Sequence, residues 1–146
     1  MIGWRVGWIV APESLLPDLA LVSMGNVVVP VGIAQEAAAA ALAMGDAHVA
    51  AATRIWEERR DLILSELGDL PVIRPCGGWS LLIDAGALGM SGAALSQRLF
   101  ERADIAATPM DGWGEANGAR FLRFVFANEP VERLRGIGAR VRRALG

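Results

Sequence analysis

Apolar residues change their spacing along the chain. Residues 6–10 form a short continuous apolar run stopped by Ala11-Pro12, which predicts a buried strand. From Glu13 the spacing turns helical, with Leu15, Leu16, Leu19 and Val22 on one side as far as about Met24, and Gly25-Asn26 is a stop signal. After a turn through Pro30, residues 32–44 are so rich in alanine that they predict a helix closing at Gly45. Asp46 then reads as the N-cap of a long helix reaching Leu67, because Val49, Thr53, Trp56, Ile63 and Leu67 recur at helical spacing. Beyond Pro71 the texture becomes that of short strands at 72–74, 79–84, 105–108 and 120–127, with a helix at 91–103. Asn128-Glu129-Pro130 opens a last helix whose buried side is Val131, Leu134, Ile137, Val141 and Leu145. The expected class is α/β, with an α+β module after a boundary near residue 46.

Composition sharpens this picture. Apolar residues make up 53% of the 146 residues, and a mean hydropathy of +0.38 is high for a soluble chain of this length, so some apolar surface is expected to meet a partner. A net charge of -2 gives no general attraction to nucleic acid or to an anionic membrane. All 14 basic residues are arginine, so the chain carries planar donor forks but no side-chain amine. No run approaches the roughly 20 apolar residues needed to span a bilayer, and the first residues do not read as a signal peptide, which makes the cytoplasm the expected location. Cys76 is the only cysteine and His48 the only histidine, so neither a disulfide nor a metal site is expected.

Two arginines stand apart from the solvated ones. Arg5 lies between Trp4 and Val6, and Arg123 lies inside Phe121-Leu122-Arg123-Phe124-Val125-Phe126, apolar on both sides. Burying a guanidinium without a partner costs several kcal/mol, so each needs an anion, either a protein carboxylate in a structural ion pair or a ligand. Gly77-Gly78 before Trp79, and Asp111-Gly112-Trp113-Gly114, are loops where a ligand can approach the backbone, although such stretches alone mean only turns. His48 reads as a surface or capping residue and Cys76 as inert. The arginines at the C-terminal end alternate with a buried stripe and read as a solvated helix face.

The opening Met1-Ile2-Gly3-Trp4-Arg5-Val6-Gly7-Trp8 resembles the segment that follows the Schiff-base lysine in class I/II, fold type I, pyridoxal-phosphate (PLP) aminotransferases, which typically reads Ser-Lys-x-x-x-Met-x-Gly-Trp-Arg. Phe121-Leu122-Arg123-Phe124-Val125-Phe126-Ala127 is similar to that family's late strand. Between these lie counterparts of a large-domain helix start (Pro30-Val31-Gly32-Ile33-Ala34-Gln35), of a Pro-x-Gly-Gly-aromatic loop beside the substrate (Pro75-Cys76-Gly77-Gly78-Trp79), and of a strand and turn (Ile105-Ala106-Ala107-Thr108-Pro109-Met110). The resemblance covers nearly the whole chain in order.

It implies that residues 1–46 are the end of a PLP-binding large domain and residues 47–146 a C-terminal small domain. By the same resemblance Arg5 binds the cofactor phosphate, Arg123 the substrate α-carboxylate, and Gly78 and Trp79 line the substrate site. It further implies a homodimer that exchanges an amino group between an amino acid and a 2-oxo acid. The family's lysine, ring-nitrogen aspartate and stacking aromatic would precede Met1. No residue of this chain is expected to act as the catalytic base, and the chain alone is expected to be inactive. Two other readings stay open: a non-catalytic module that dimerises or binds a partner, and a PLP-fold relative such as a β-lyase or an aminotransferase-like regulator.

Overall fold

The computed structural model describes residues 2–146. The chain divides into two compact units, Met1–Val49 and Ala50–Gly146, with the division falling inside one long helix.

The first unit holds helices α1 (Leu16–Asn26) and α2 (Gly32–Ala43) and the start of α3 (Ala47–Glu66). Pro17 sits in the first turn of α1, where its missing N–H costs nothing. The chain leaves that helix through Val28, a β-branched residue at φ 64. Inside this unit the apolar pattern and the burial part company. Among the described residues Ala34 is the one buried apolar residue here, whereas Leu15, Leu16 and Val22 are exposed. The strand expected at 6–10 does not form: these residues are irregular, with Trp8 66% and Val10 92% exposed. A strand exists only by exchanging backbone hydrogen bonds with a neighbour, and the described residues supply none beside this run. The apolar character of the run records a burial that this chain does not provide.

The second unit holds the core. A four-stranded antiparallel sheet has the order β1-β2-β4-β3, from β1 (Val72–Ile73), β2 (Ser80–Asp84), β3 (Thr108–Pro109) and β4 (Phe121–Val125). Strict alternation on β2 and β4 turns Leu81, Ile83, Leu122 and Phe124 to one face. There they join Ile63 of α3, Leu67 just after it, Leu95 and Leu99 of α4 (Gly92–Ala103), and Ile137, Val141 and Ala144 of α6 (Ile137–Leu145). Ser91 caps α4, its Oγ accepting from Ala94 N at 3.1 Å. Glycines allow close approaches between elements. A β-carbon on Gly92 would collide with the Phe121 carbonyl, and one on Gly138 with the Glu66 carbonyl.

Several expected boundaries move. Of the stripe expected on α3, only Ile63 and Leu67 are buried, while Val49 and Trp56 are exposed, because the sheet and α6 reach only the second half of the helix. Residues 105–107 are not strand: the Ile105 N–H bonds to Leu99 O at 3.2 Å, closing the end of α4, and only Thr108–Pro109 pairs with β4. The last helix is two. Gly136 at φ 75 separates α5 (Val131–Leu134) from α6, and its N–H donates to the Glu66 carboxylate at 3.0 Å.

Candidate functional site

The alternation that buries Leu122 and Phe124 turns Arg123 to the opposite face of the sheet. It pairs with Leu82 of β2 on one side and Thr108 of β3 on the other. The residue is half-buried, its Nε is fully buried without a hydrogen-bond acceptor, and no carboxylate pairs with it among the described residues. The indole of Trp113 covers the guanidinium, with the arginine Cζ 4.7 Å from the ring centroid. Arginine faces are weakly hydrated and stack well on indole, while the edges keep the donors.

Arg120, three residues earlier, shows what a satisfied arginine looks like here. Its Nε donates to Asp84 Oδ1 at 2.7 Å and its Nη2 to Asp84 Oδ2, a two-point pair. That hydrogen bonding, aided by the backbone N–H groups of Ala87 and Gly86, holds the Asp84 carboxyl below its ordinary value. Arg142 makes the same kind of pair with Asp69 and lowers that carboxyl in turn. Arg59 has an orphaned Nε as well, but its Nη1 donates to the Ala127 carbonyl, so it staples α3 to the end of β4.

The loop carrying Trp113 is tightly built. Met110 N donates to Phe121 O at 3.1 Å, and Trp113 N donates back to Met110 O at 3.0 Å. Gly112 and Gly114 have φ 77 and 138, values that glycine adopts without strain. Gly118 closes the neck, since a β-carbon there would lie 2.5 Å from Met110 O.

The other anticipated residues fall as follows. Gly78 turns at φ 80, and the Trp79 carbonyl accepts from Phe126 N at 3.0 Å and Ala127 N at 3.3 Å, leaving the indole 56% exposed. Arg5 lies in the first unit, exposed, at φ 45, just past a short 3-10 turn over Ile2–Trp4. It is therefore not on a strand, and no ion pair holds it among the described residues. Met1, first residue of the same motif, lies outside the described residues. Among the described residues neither Arg5 nor Arg123 has a carboxylate partner. Trp113 lies in the glycine-flanked loop that the sequence singled out, but local spacing gave no sign that it stacks on Arg123.

The family model described as aminotransferase class I and II matches residues 1–140. The chain belongs to this family. Among curated relatives, the arginine–pyruvate transaminase of Pseudomonas aeruginosa is 31% identical over 135 residues, covering 90% of this chain and 34% of the relative. Aromatic-amino-acid aminotransferase 2 of Thermococcus litoralis is 31% identical over 132 residues, covering 87% of this chain and 33% of that one. Among solved structures, an aromatic aminotransferase from Pyrococcus horikoshii superposes with a TM-score of 0.83 at 28% identity, covering 99% of this chain and 39% of the other. The Thermus thermophilus aspartate aminotransferase with maleate gives 0.82 at 30% identity, covering 99% and 38%. The chain thus spans about a third of the length of the relatives it matches. The fold is that of the corresponding part of these aminotransferases, and among the described residues no helix is long and apolar enough to cross a membrane.

Proposed function

We propose that this chain is the C-terminal, substrate-gripping part of a PLP-dependent aminotransferase that moves an amino group between an amino acid and a 2-oxo acid. Residues 1–46 then belong to the PLP-binding large domain and residues 47–146 to the small domain. The observation that carries the proposal is the contrast between Arg120, just before β4, and Arg123, on it: Arg120 has its carboxylate, and Arg123, half-buried with an orphaned Nε, has none among the described residues. A guanidinium kept partly out of water without a protein anion is suited to a ligand anion. The named relatives act on arginine, aromatic amino acids or aspartate, whose side chains differ but whose α-carboxylates do not. On this reading Arg123 holds the part they share.

PLP suits the donor set at one end and not at the other. Arg5 offers an exposed, unpaired fork to a phosphate. The sequence contains no lysine, so the amine that carries the cofactor comes from polypeptide outside these 146 residues. When bound, the cofactor ring stores the electron pair released as the substrate Cα loses its proton. This chain's own part is positional. Arg5 holds the phosphate, Arg123 holds the carboxylate and so fixes the direction of the Cα bonds, and Gly78 and Trp79 border the substrate. The exposed apolar surface of the first unit, from Trp8 to Met44, supports docking against the rest of the fold, in a homodimer located in the cytoplasm.

Titration of the chain with pyruvate and with PLP, followed by proton–nitrogen NMR of the arginine side chains and phosphorus NMR, tests the assignment. Arg123→Ala should abolish the pyruvate response and spare the phosphate response, and Arg5→Ala should do the reverse. Equal loss of both responses in both variants would refute the roles. Sequencing the flanking genomic DNA tests the activity: a lysine-bearing segment of the same family should be encoded nearby, and its absence would favour the non-catalytic module.

A further inference from the structure

We propose that Trp113 is a positioning residue for the Arg123 guanidinium, setting the plane in which that arginine presents its donors to a substrate carboxylate. The inference rests on the carboxylate role of Arg123 given above and extends it to a residue on a separate loop. An arginine on a strand has four side-chain torsions, so without support its fork samples many planes and pays for ordering when an anion binds. Here the indole lies over the guanidinium at 4.7 Å and removes that freedom. It occupies a face, which donates nothing, and leaves the planar edge to the ligand.

The chain supports the indole with specific local geometry. The turn from Met110 to Trp113, the positive φ of Gly112 and Gly114, and the neck between Gly118 and Met110 O hold the loop in one shape. Immediately after that neck, Arg120 is locked to Asp84, so the loop's exit is tied to the same sheet that carries Arg123. Trp113 is 62% exposed, so hydrophobic burial does not account for an aromatic residue of this size at the tip. The contact with Arg123 does.

The test uses the chain as it stands, with pyruvate as the probe and the Arg123 Nε–H resonance as the readout. Trp113→Ala should weaken pyruvate binding about five-fold or more, in line with a stacked cation on indole. Trp113→Phe, which keeps an aromatic face, should restore affinity to within about two-fold of the parent. Because the indole is mostly exposed, both variants should keep the parent's thermal unfolding profile, which separates positioning from folding. Parent-like affinity in Trp113→Ala would overturn the inference while leaving the role of Arg123 intact. A Phe variant as weak as the Ala variant would also overturn it. No response of Arg123 in the parent chain would instead remove the carboxylate role, and the inference with it.

Discussion

Gly138→Ala offers a sharp test of how the second unit is assembled. A β-carbon on Gly138 would lie 1.9 Å from the Glu66 carbonyl oxygen, where real side chains stay beyond about 3.0 Å. Backbone stands on both sides of the clash, so α6 must move by about 1 Å away from α3. Overpacking of this kind costs about 2 kcal/mol. The same movement strains the Glu66 carboxylate, which accepts from Gly136 N at 3.0 Å and Gly138 N at 3.2 Å, and two such bonds are worth about 2 kcal/mol together. Alanine returns about 1 kcal/mol through its better helix propensity. The net destabilisation is about 3 kcal/mol, which for a domain of this size lowers Tm by roughly 12–24 °C. Urea denaturation followed by far-ultraviolet circular dichroism measures it, with Ala139→Gly on the exposed side of α6 calibrating propensity alone at about 1 kcal/mol. A neutral or stabilising Gly138→Ala would show that α6 does not approach α3 so closely, and the packing account of this unit would fail.

Other outcomes follow from the same geometry. Asp84 and Asp69 are held below the ordinary value of 3.8 by Arg120 and Arg142, so both pairs contribute stability above that pH and lose it as the pH falls through the lowered values. In Arg120→Met, the Asp84 carboxyl carbon shift should titrate at a higher pH than in the parent, and an unchanged titration would argue against the pair. Ser91→Ala should cost about 1 kcal/mol through loss of the α4 cap, read by urea denaturation, and a cost near zero would mean that the cap is not made in solution. Amide exchange should be slowest at Leu81, Ile83, Leu122 and Leu99 and fast throughout residues 6–44, because almost all the buried apolar residues lie in the second unit; comparable protection in both units would contradict this.

Periodicity alone determined a good deal about this protein. Helical spacing along the last helix is a local property that selects which side chains face inward, and of the residues it picks Leu134, Ile137 and Val141 lie in the core. The absence of lysine is likewise a plain fact of the sequence, and it limits what these residues can do chemically. The charge of Arg123 within an apolar strand marked it as exceptional before any coordinates.

Tertiary structure decided which anions those charges have. Asp84, 36 residues before Arg120, satisfies it, and Glu66, 70 residues before Gly136, anchors the break between α5 and α6. Trp113 reaches Arg123 from a separate loop. Such partners are invisible to local spacing because the chain reversals that join them lie between. The run at 6–10 shows the limit from the other side. Its residues carry the pattern of a buried strand, but a strand is a relation between neighbours, and hydropathy records the intended burial without supplying the neighbour.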